Sequence, residues 1–329
     1  MKKVRWGIAG PGNIARKFAK AANNLDSVEL CAVASRDPAR GAAFAAEYGI
    51  GKVFSSYEEM AASPDVDCVY VATPHPFHSS CAKIFLRAGK HVLCEKPMCV
   101  NTAQAEELIA CAKENDVFLM EAMWTRFLPA TEALMAAIAS GEIGEVRGLT
   151  ADFCYTLESQ EDHKIFRADM AGGSLLDVGV YSLHFAAMLL GTDGVGLSAA
   201  ARVVDGCDRH TVITARYEGG AIATLTSATD LYKPYDAYIY GSRGYIHVPT
   251  FYGAQGFTVV KGASREERSY PSLGAGFEEE ILEASRAVTE GIRESERHPL
   301  SRTLAVLRQM DGIRKEIGVR YPLPGEDML

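Results

Sequence analysis

Lys96 stands in the run Glu95-Lys96-Pro97, directly after the apolar stretch that begins at His91, and Asp177, Tyr181 and His184 follow the pair Gly172-Gly173 much further along the chain. An ammonium group and a phenol can work together on a proton. The positive charge lowers the pKa of a neighbouring phenol, and the phenol exchanges its proton as a carbinol and a carbonyl interconvert. A third motif, Gly10-Pro11-Gly12-Asn13-Ile14-Ala15, comes directly after the apolar run Val4 to Ala9. Together the three supply what a coupled hydride and proton transfer needs: a dinucleotide site, an acid/base and a charge that tunes it.

Spacings of i, i+4 and i+7 put Asp177, Tyr181 and His184 on one face of a helix, with Leu176, Val180, Leu183 and Ala187 as an apolar stripe opposite. Taken alone, Tyr181 and His184 read equally as core residues, and Lys96 as a solvated turn lysine. Their occurrence in one chain, with Lys96 at a strand tip, shifts the reading towards catalysis by Lys96 and Tyr181.

Short apolar runs alternate with helical segments through the first part of the chain. Val4 to Ala9, Glu29 to Ser35, Cys68 to Ala72, His91 to Glu95 and Phe118 to Glu121 read as buried strands. That pattern is what a parallel sheet covered on both faces requires. It predicts a Rossmann-type, doubly wound α/β domain over residues 1–122. After Trp124 the pattern changes. Helices are expected over Pro129 to Ser140 and Ser174 to Leu190, then alternating strands joined by turns such as Gly241-Ser242-Arg243-Gly244, then two closing helices. Residues 123–329 are therefore expected to form an α+β domain with a large, mostly antiparallel open sheet, which binds substrate and dimerises.

Within the glycine motif, Gly10 permits a tight turn and Gly12 lets backbone amides approach a pyrophosphate, while Asn13 and Ile14 open the helix whose N-terminus carries partial positive charge. At the tip of the second strand, Ser35 and Arg36, with Arg40 a turn later, offer a hydroxyl and guanidinium forks suited to a 2′-phosphate. This favours NADP over NAD, although Asp37 remains available to a ribose hydroxyl. Ligands of open α/β sheets bind outside the carboxyl ends of the strands. Thr73, Pro74, His75 and His78 after the fourth strand, and Glu95 and Lys96 at the fifth, are accordingly expected at the cofactor.

The chain of 329 residues carries a net charge of −8 with its basic residues scattered, so a nucleic-acid partner is not expected. No apolar run approaches the length needed to span a bilayer, so no membrane association is expected either. The eight cysteines lie mostly in apolar stretches without metal-ligand spacing, which reads as reduced, buried thiols and no metal site. The opening Met1-Lys2-Lys3-Val4-Arg5-Trp6 shows no signal peptide, and a cytoplasmic location is expected.

These motifs resemble the glucose–fructose oxidoreductase / inositol dehydrogenase / rhizopine-catabolism (Gfo/Idh/MocA) family. The resemblance runs through the glycine motif, Glu95-Lys96-Pro97, Gly141-Glu142-Ile143-Gly144-Glu145-Val146, Gly172 to Tyr181, and Gly241 to Gly244. Met120 to Phe127 and Ile317 to Pro322 are similar to its dimeric dihydrodiol dehydrogenases and NADP-dependent D-xylose dehydrogenases. The resemblance implies that Lys96 and Tyr181 act on the substrate and that Asp177 positions it. It implies that Trp124, Phe153 and Phe277 line an apolar wall, and that Trp124 and Arg126 join the cofactor-binding residues. Many members carry His where Tyr181 stands and Asp where His184 stands, so this chain follows a tyrosine variant and a role for His184 is not implied. The implied activity is an NADP-dependent oxidoreductase for a secondary alcohol of a sugar, polyol or cyclic diol, assembled as a homodimer or dimer of dimers through the open sheet. The same family also contains NAD-retaining glycoside hydrolases and non-catalytic cofactor-sensing regulators. The Ser35-Arg36 tip and the presence of both Lys96 and Tyr181 argue against those alternatives.

Overall fold

The computed structural model describes residues 3–157, 163–192, 194–323 and 326. In chain order the first elements are β1 (Val4–Ala9), α1 (Asn13–Asn23), β2 (Val28–Ala34), α2 (Pro38–Tyr48), β3 (Lys52–Phe54), α3 (Tyr57–Ala62), β4 (Cys68–Val71), α4 (His78–Arg87), β5 (His91–Glu95), α5 (Thr102–Glu114) and β6 (Leu119–Ala122). The six strands form one parallel sheet in the order β3-β2-β1-β4-β5-β6, the doubly wound arrangement in which chain order reverses between β1 and β4. Strand β3 and helix α3 escaped sequence reading because β3 has three residues, two of them exposed.

Then come α6 (Pro129–Ala139), β7 (Val146–Cys154), a π turn at Leu175–Gly179, α7 (Val180–Leu190), β8 (Gly194–Val204), β9 (Cys207–Tyr217), β10 (Ile222–Ala228), β11 (Ala237–Gly241), β12 (Tyr245–Val248), β13 (Gly256–Lys261), β14 (Ser264–Ser269), α8 (Phe277–Glu290) and α9 (Leu300–Ile317). The second sheet runs β14-β13-β12-β11-β7-β10-β9-β8 and is antiparallel except for the pair β7/β10.

Two compact units result. One comprises the chain up to Cys99, Ala103–Trp124 and Leu273–Leu300; the other comprises Val100–Thr102, Thr125–Ser272 and the chain from Ser301. The sequence pattern assigns everything beyond residue 122 to the second domain, whereas α8 returns to the first unit. Side-chain chemistry explains that return. The indole Nε1 of fully buried Trp6 on β1 donates to Ser285 Oγ on α8 at 3.1 Å. Trp6 packs on Phe18 with ring centroids 5.3 Å apart, and Phe18 stacks on Tyr70 at 3.9 Å. Burying an aromatic ring of this size is worth roughly 3–5 kcal/mol against alanine, enough to hold α8 to the sheet.

Within the second unit, the stretch Ala168–Leu190 is long and apolar enough by length and composition to cross a membrane, and 83% of its most apolar window is buried in the protein. This corrects the expectation that no such run exists. The helix is apolar on every side because it is enclosed on every side, with Val180 to Met188 all buried. Of the supposed polar face, Tyr181 and His184 are buried and Asp177 is half-buried. The regular helix expected from Ser174 onward also begins differently, because its first turn is π-helical.

Candidate active site

The dinucleotide cradle is built between β1 and α1. Gly10 has φ +92°, and a Cβ there would meet the Ala72 carbonyl oxygen at 3.2 Å. Both conditions select glycine. At Gly12 a Cβ would find no atom within 4 Å, so the backbone is open to an approaching group. Gly12 caps α1 without any side-chain hydrogen bond, and the first turn of α1 carries no acidic residue. At two other helix starts in this unit a side chain closes the turn: Asp37 accepts from the Arg40 amide at the head of α2, and Ser56 accepts from the Glu59 amide at α3. The uncapped amides of α1, above open space, fit a pyrophosphate.

At the β2 tip Ser35 is buried and its Oγ accepts from the Asp37 amide at 3.2 Å, which leaves the hydroxyl proton to donate outward. Arg36 and Arg40 are exposed, and the Arg36 guanidinium lies 5.8 Å from the Phe77 ring centroid. Asp37 spends Oδ1 on the α2 cap. Asn13 is exposed and Ile14 half-buried in the first turn of α1.

Thr73, Pro74 and His75 follow β4, with Thr73 buried and the other two half-buried. His78 departs from expectation. It is buried, and both ring nitrogens face backbone carbonyl oxygens, Pro97 at 2.8 Å and Thr73 at 2.7 Å. Its ring is thus turned inward and not offered to a cofactor. At the β5 tip Glu95 is buried, takes the Tyr70 hydroxyl and accepts the Lys96 amide at 3.1 Å. Lys96 is half-buried at the edge of this network. Trp124 stacks on Phe277 with centroids 5.0 Å apart and planes 14° from parallel, so those two predicted residues do meet. Arg126 is buried and ion-paired with Glu132 at 2.5 Å, an engagement the sequence did not announce.

In the second unit, β7 places Phe153 on the same side as Leu149 and Ala151, and the Phe153 ring lies 5.4 Å from that of Tyr181. Tyr252 stacks on Phe153 at 4.2 Å and stands 5.8 Å from Tyr181; Tyr235 is 5.2 Å from Phe153. Tyr155 donates to Asp177 Oδ2 at 2.8 Å. Burial, and then the Asp177 charge, push the Tyr155 phenol well above its ordinary pKa, so it remains a donor. Asp177 and Tyr181 thus stand beside a set of half-buried aromatic rings, a lining whose chemistry suits a flat ring face next to one carboxylate. Sequence reading missed Tyr155, Tyr235 and Tyr252. The period of two along β7 points to Tyr155 once Phe153 is chosen; the other two come from turns with no local signal. His184 is buried within α7.

The turn before this helix is clamped from two sides. Asp208, fully buried, accepts from Ser174 Oγ at 2.6 Å, the Leu175 amide at 2.8 Å and Thr211 Oγ1 at 2.8 Å. Tyr321 donates to the Gly172 carbonyl oxygen at 2.7 Å. Gly173 has φ +114°, and a Cβ there would lie 2.2 Å from Asp208 Oδ1. Gly173 therefore serves the docking of Asp208, while a Cβ at Gly172 would meet the Ile165 carbonyl oxygen at 2.5 Å.

Residues 4–123 match the family described as "Oxidoreductase family, NAD-binding Rossmann fold", and residues 131–247 match the GFO/IDH/MocA C-terminal domain. The mouse protein named trans-1,2-dihydrobenzene-1,2-diol dehydrogenase is 36% identical over 97% of this chain and 98% of its own length. The chain belongs to the Gfo/Idh/MocA oxidoreductase family. The human protein of the same name is 34% identical over 97% of this chain and 98% of its own. Among solved structures of the fold, KijD10, a 3-ketoreductase from Actinomadura kijaniata in complex with NADP and TDP-benzene, superposes with a TM-score of 0.87 at 28% identity, covering 96% of this chain and 98% of that one. An aldose–aldose oxidoreductase from Caulobacter crescentus complexed with glycerol gives 0.88 at 25% identity, covering 96% and 97%. Membership accounts for the uncapped α1 cradle and the parallel sheet that presents it.

Proposed function

We propose that this protein is an NADP-dependent oxidoreductase that interconverts a secondary alcohol and a carbonyl on a cyclic diol, sugar or polyol. The observation that carries the reading is the Asp177–Tyr181 helix start, with its carboxylate fixed by Tyr155 and its phenol against Phe153 and Tyr252. A planar diol ring or the flat C–H face of a sugar suits that wall. The NADP and TDP-benzene held by the 3-ketoreductase, and the names of the dihydrodiol dehydrogenases, support the same substrate and cofactor class.

When bound, the nicotinamide dinucleotide supplies or accepts the hydride. The protein's own groups do the rest. The α1 amides from Gly12, Asn13 and Ile14 hold the pyrophosphate, and Ser35, Arg36 and Arg40 hold the 2′-phosphate. Asp177 accepts a hydrogen bond from a substrate hydroxyl. Tyr181 Oη takes the proton of the reacting hydroxyl in oxidation and returns it in reduction. Lys96 favours the phenolate that this exchange needs. We further read the protein as a soluble, cytoplasmic homodimer or dimer of dimers built on the open face of the second sheet.

The test is steady-state kinetics with NADP and NAD against trans-dihydrodiols and aldoses, for the wild type and Tyr181→Phe. General acid/base catalysis contributes about 10²–10⁴-fold, so turnover is expected to fall by that factor while NADPH affinity holds. Full activity in the variant removes Tyr181 from the mechanism. Tightly held NAD with no net coenzyme turnover would point to a hydrolase instead.

A further inference from the structure

His78 opens α4, is 1% exposed, and sits between two carbonyl groups. Its Nδ1 is 2.8 Å from Pro97 O and its Nε2 is 2.7 Å from Thr73 O. A carbonyl oxygen only accepts, so each contact is attractive only when the facing nitrogen carries hydrogen. A neutral imidazole has one N–H and one bare lone pair. In that form one of the two contacts would set lone pair against lone pair at hydrogen-bond distance. Turning the ring over would bring carbon atoms to both carbonyls and lose both bonds. The imidazolium satisfies both carbonyls at once, and charge-assisted bonds of this kind are the strong ones. Burial opposes the charge, so the two bonds must outweigh it.

The two carbonyls belong to different turns. Thr73 follows β4 and Pro97 follows β5, and these strands are neighbours in the parallel sheet. Both turns lie at the carboxyl ends of the strands, where the dinucleotide binds in such sheets. We propose that His78 is held as an imidazolium whose two N–H groups tie these turns together, which makes it a positioning residue for Lys96, the neighbour of the braced Pro97. The consequence for Lys96 rests on the catalytic reading given above; the brace itself does not. The titratable groups on the elements packed against α4 are Tyr57, Glu58 and Glu59 of α3, Cys68 and Tyr70 of β4, His91, Cys94 and Glu95 of β5, and His75 and Lys96 in the adjoining turns. The His75 ring centroid is 5.7 Å from that of His78.

The protonation state can be read without any activity. In coenzyme-free wild-type protein labelled with ¹⁵N-histidine, a long-range ¹H–¹⁵N spectrum at pH 8 reports both ring nitrogens, with His78 assigned through its own side-chain correlations. An unperturbed histidine is only about 3% protonated at that pH. His78 is expected to show two protonated nitrogens; a bare nitrogen on its ring overturns the proposal. For the positioning role, His78→Asn keeps at most one of the two bonds. A fall in kcat/KM of about tenfold or more is expected, carried by kcat, with NADPH affinity within about threefold. Unchanged kcat in the folded variant overturns the positioning role. Should Lys96→Ala retain full activity, the catalytic reading of Lys96 fails, while the nitrogen spectrum still decides the brace.

Discussion

The Tyr155 hydroxyl donates to Asp177 Oδ2 at 2.8 Å, from a strand end to the first turn of the helix that carries Tyr181. Burial and then the Asp177 charge hold the Tyr155 phenol well above its ordinary pKa, and on the proposed function Tyr155 would orient the carboxylate while Tyr181 exchanges the proton. Tyr155→Phe removes the donor and keeps the ring. Hydrogen bonds to charged groups are worth roughly 1.5–3 kcal/mol, so kcat/KM for the diol or sugar should fall about 10- to 100-fold. Coenzyme affinity, followed by NADPH fluorescence titration, should not move. An unaltered kcat/KM would remove Asp177 from substrate positioning.

Arg36 is exposed at the β2 tip, beside the Phe77 ring and next to buried Ser35, while Asp37 is committed to capping α2. If the guanidinium receives the 2′-phosphate, Arg36→Ala should weaken NADPH binding by about 10- to 100-fold and leave NADH nearly unchanged, by the same worth of a charge-assisted bond. Equal losses for both coenzymes would assign Arg36 to the adenine or the fold instead.

How much could be read beforehand follows from how local each signal is. Val4–Ala9 and His91–Glu95 coincide with their expected bounds, because a fully buried parallel strand leaves a continuous apolar run and each tip motif adjoins it. The π turn at Leu175–Gly179 is hidden, since nothing in the spacing of Asp177 and Tyr181 distinguishes it from an α turn; Asp208, bonded to Ser174 and the Leu175 amide, and Tyr321, bonded to Gly172, hold its start through contacts distant in sequence. The grouping of helix α8 with the first compact unit is hidden in the sequence for a similar reason. Its tie to β1 is the Trp6–Ser285 bond across 279 positions. His78 looked like a cofactor ligand because sequence shows that it stands at a strand tip but not which way its ring points.

One face of the second sheet carries Ile222, Gly148, Tyr240 and Tyr245 in a single cross-strand row, followed by Thr224, Thr150, Tyr238 and His247. Ile222 and Tyr240 are 52% and 41% exposed, and Tyr238 stacks on His247 at 4.5 Å. Large exposed apolar patches of this kind mark association surfaces. If the protein pairs through this face, replacing both Ile222 and Tyr240 by Glu puts like charges across the seam. The variant should run as a monomer where the wild type runs as a dimer by light scattering after size exclusion, with circular dichroism unchanged. A variant that keeps the wild-type mass would move the interface elsewhere.

Glu280 sets a pH dependence with a definite sign. Its side chain is fully buried on α8, neither carboxylate oxygen has a hydrogen-bond partner among the described residues, and burial, followed by the charge of Glu95, raises its pKa well above 4.5. The folded state therefore holds this proton more tightly than the unfolded chain does. The stability it contributes is complete below the unfolded value and is lost as pH climbs from about 4.5. Each unit of raised pKa corresponds to about 1.4 kcal/mol. Glu280→Gln keeps the shape and removes the titration. The variant should match the wild type in Tm near pH 4 and exceed it by several degrees at pH 8, since one kcal/mol moves Tm by about 2–4 °C in larger domains. Thermal unfolding across that range decides the matter. A variant less stable than wild type at pH 8 would mean that the ionised Glu280 is stabilised in the folded state, against this reading.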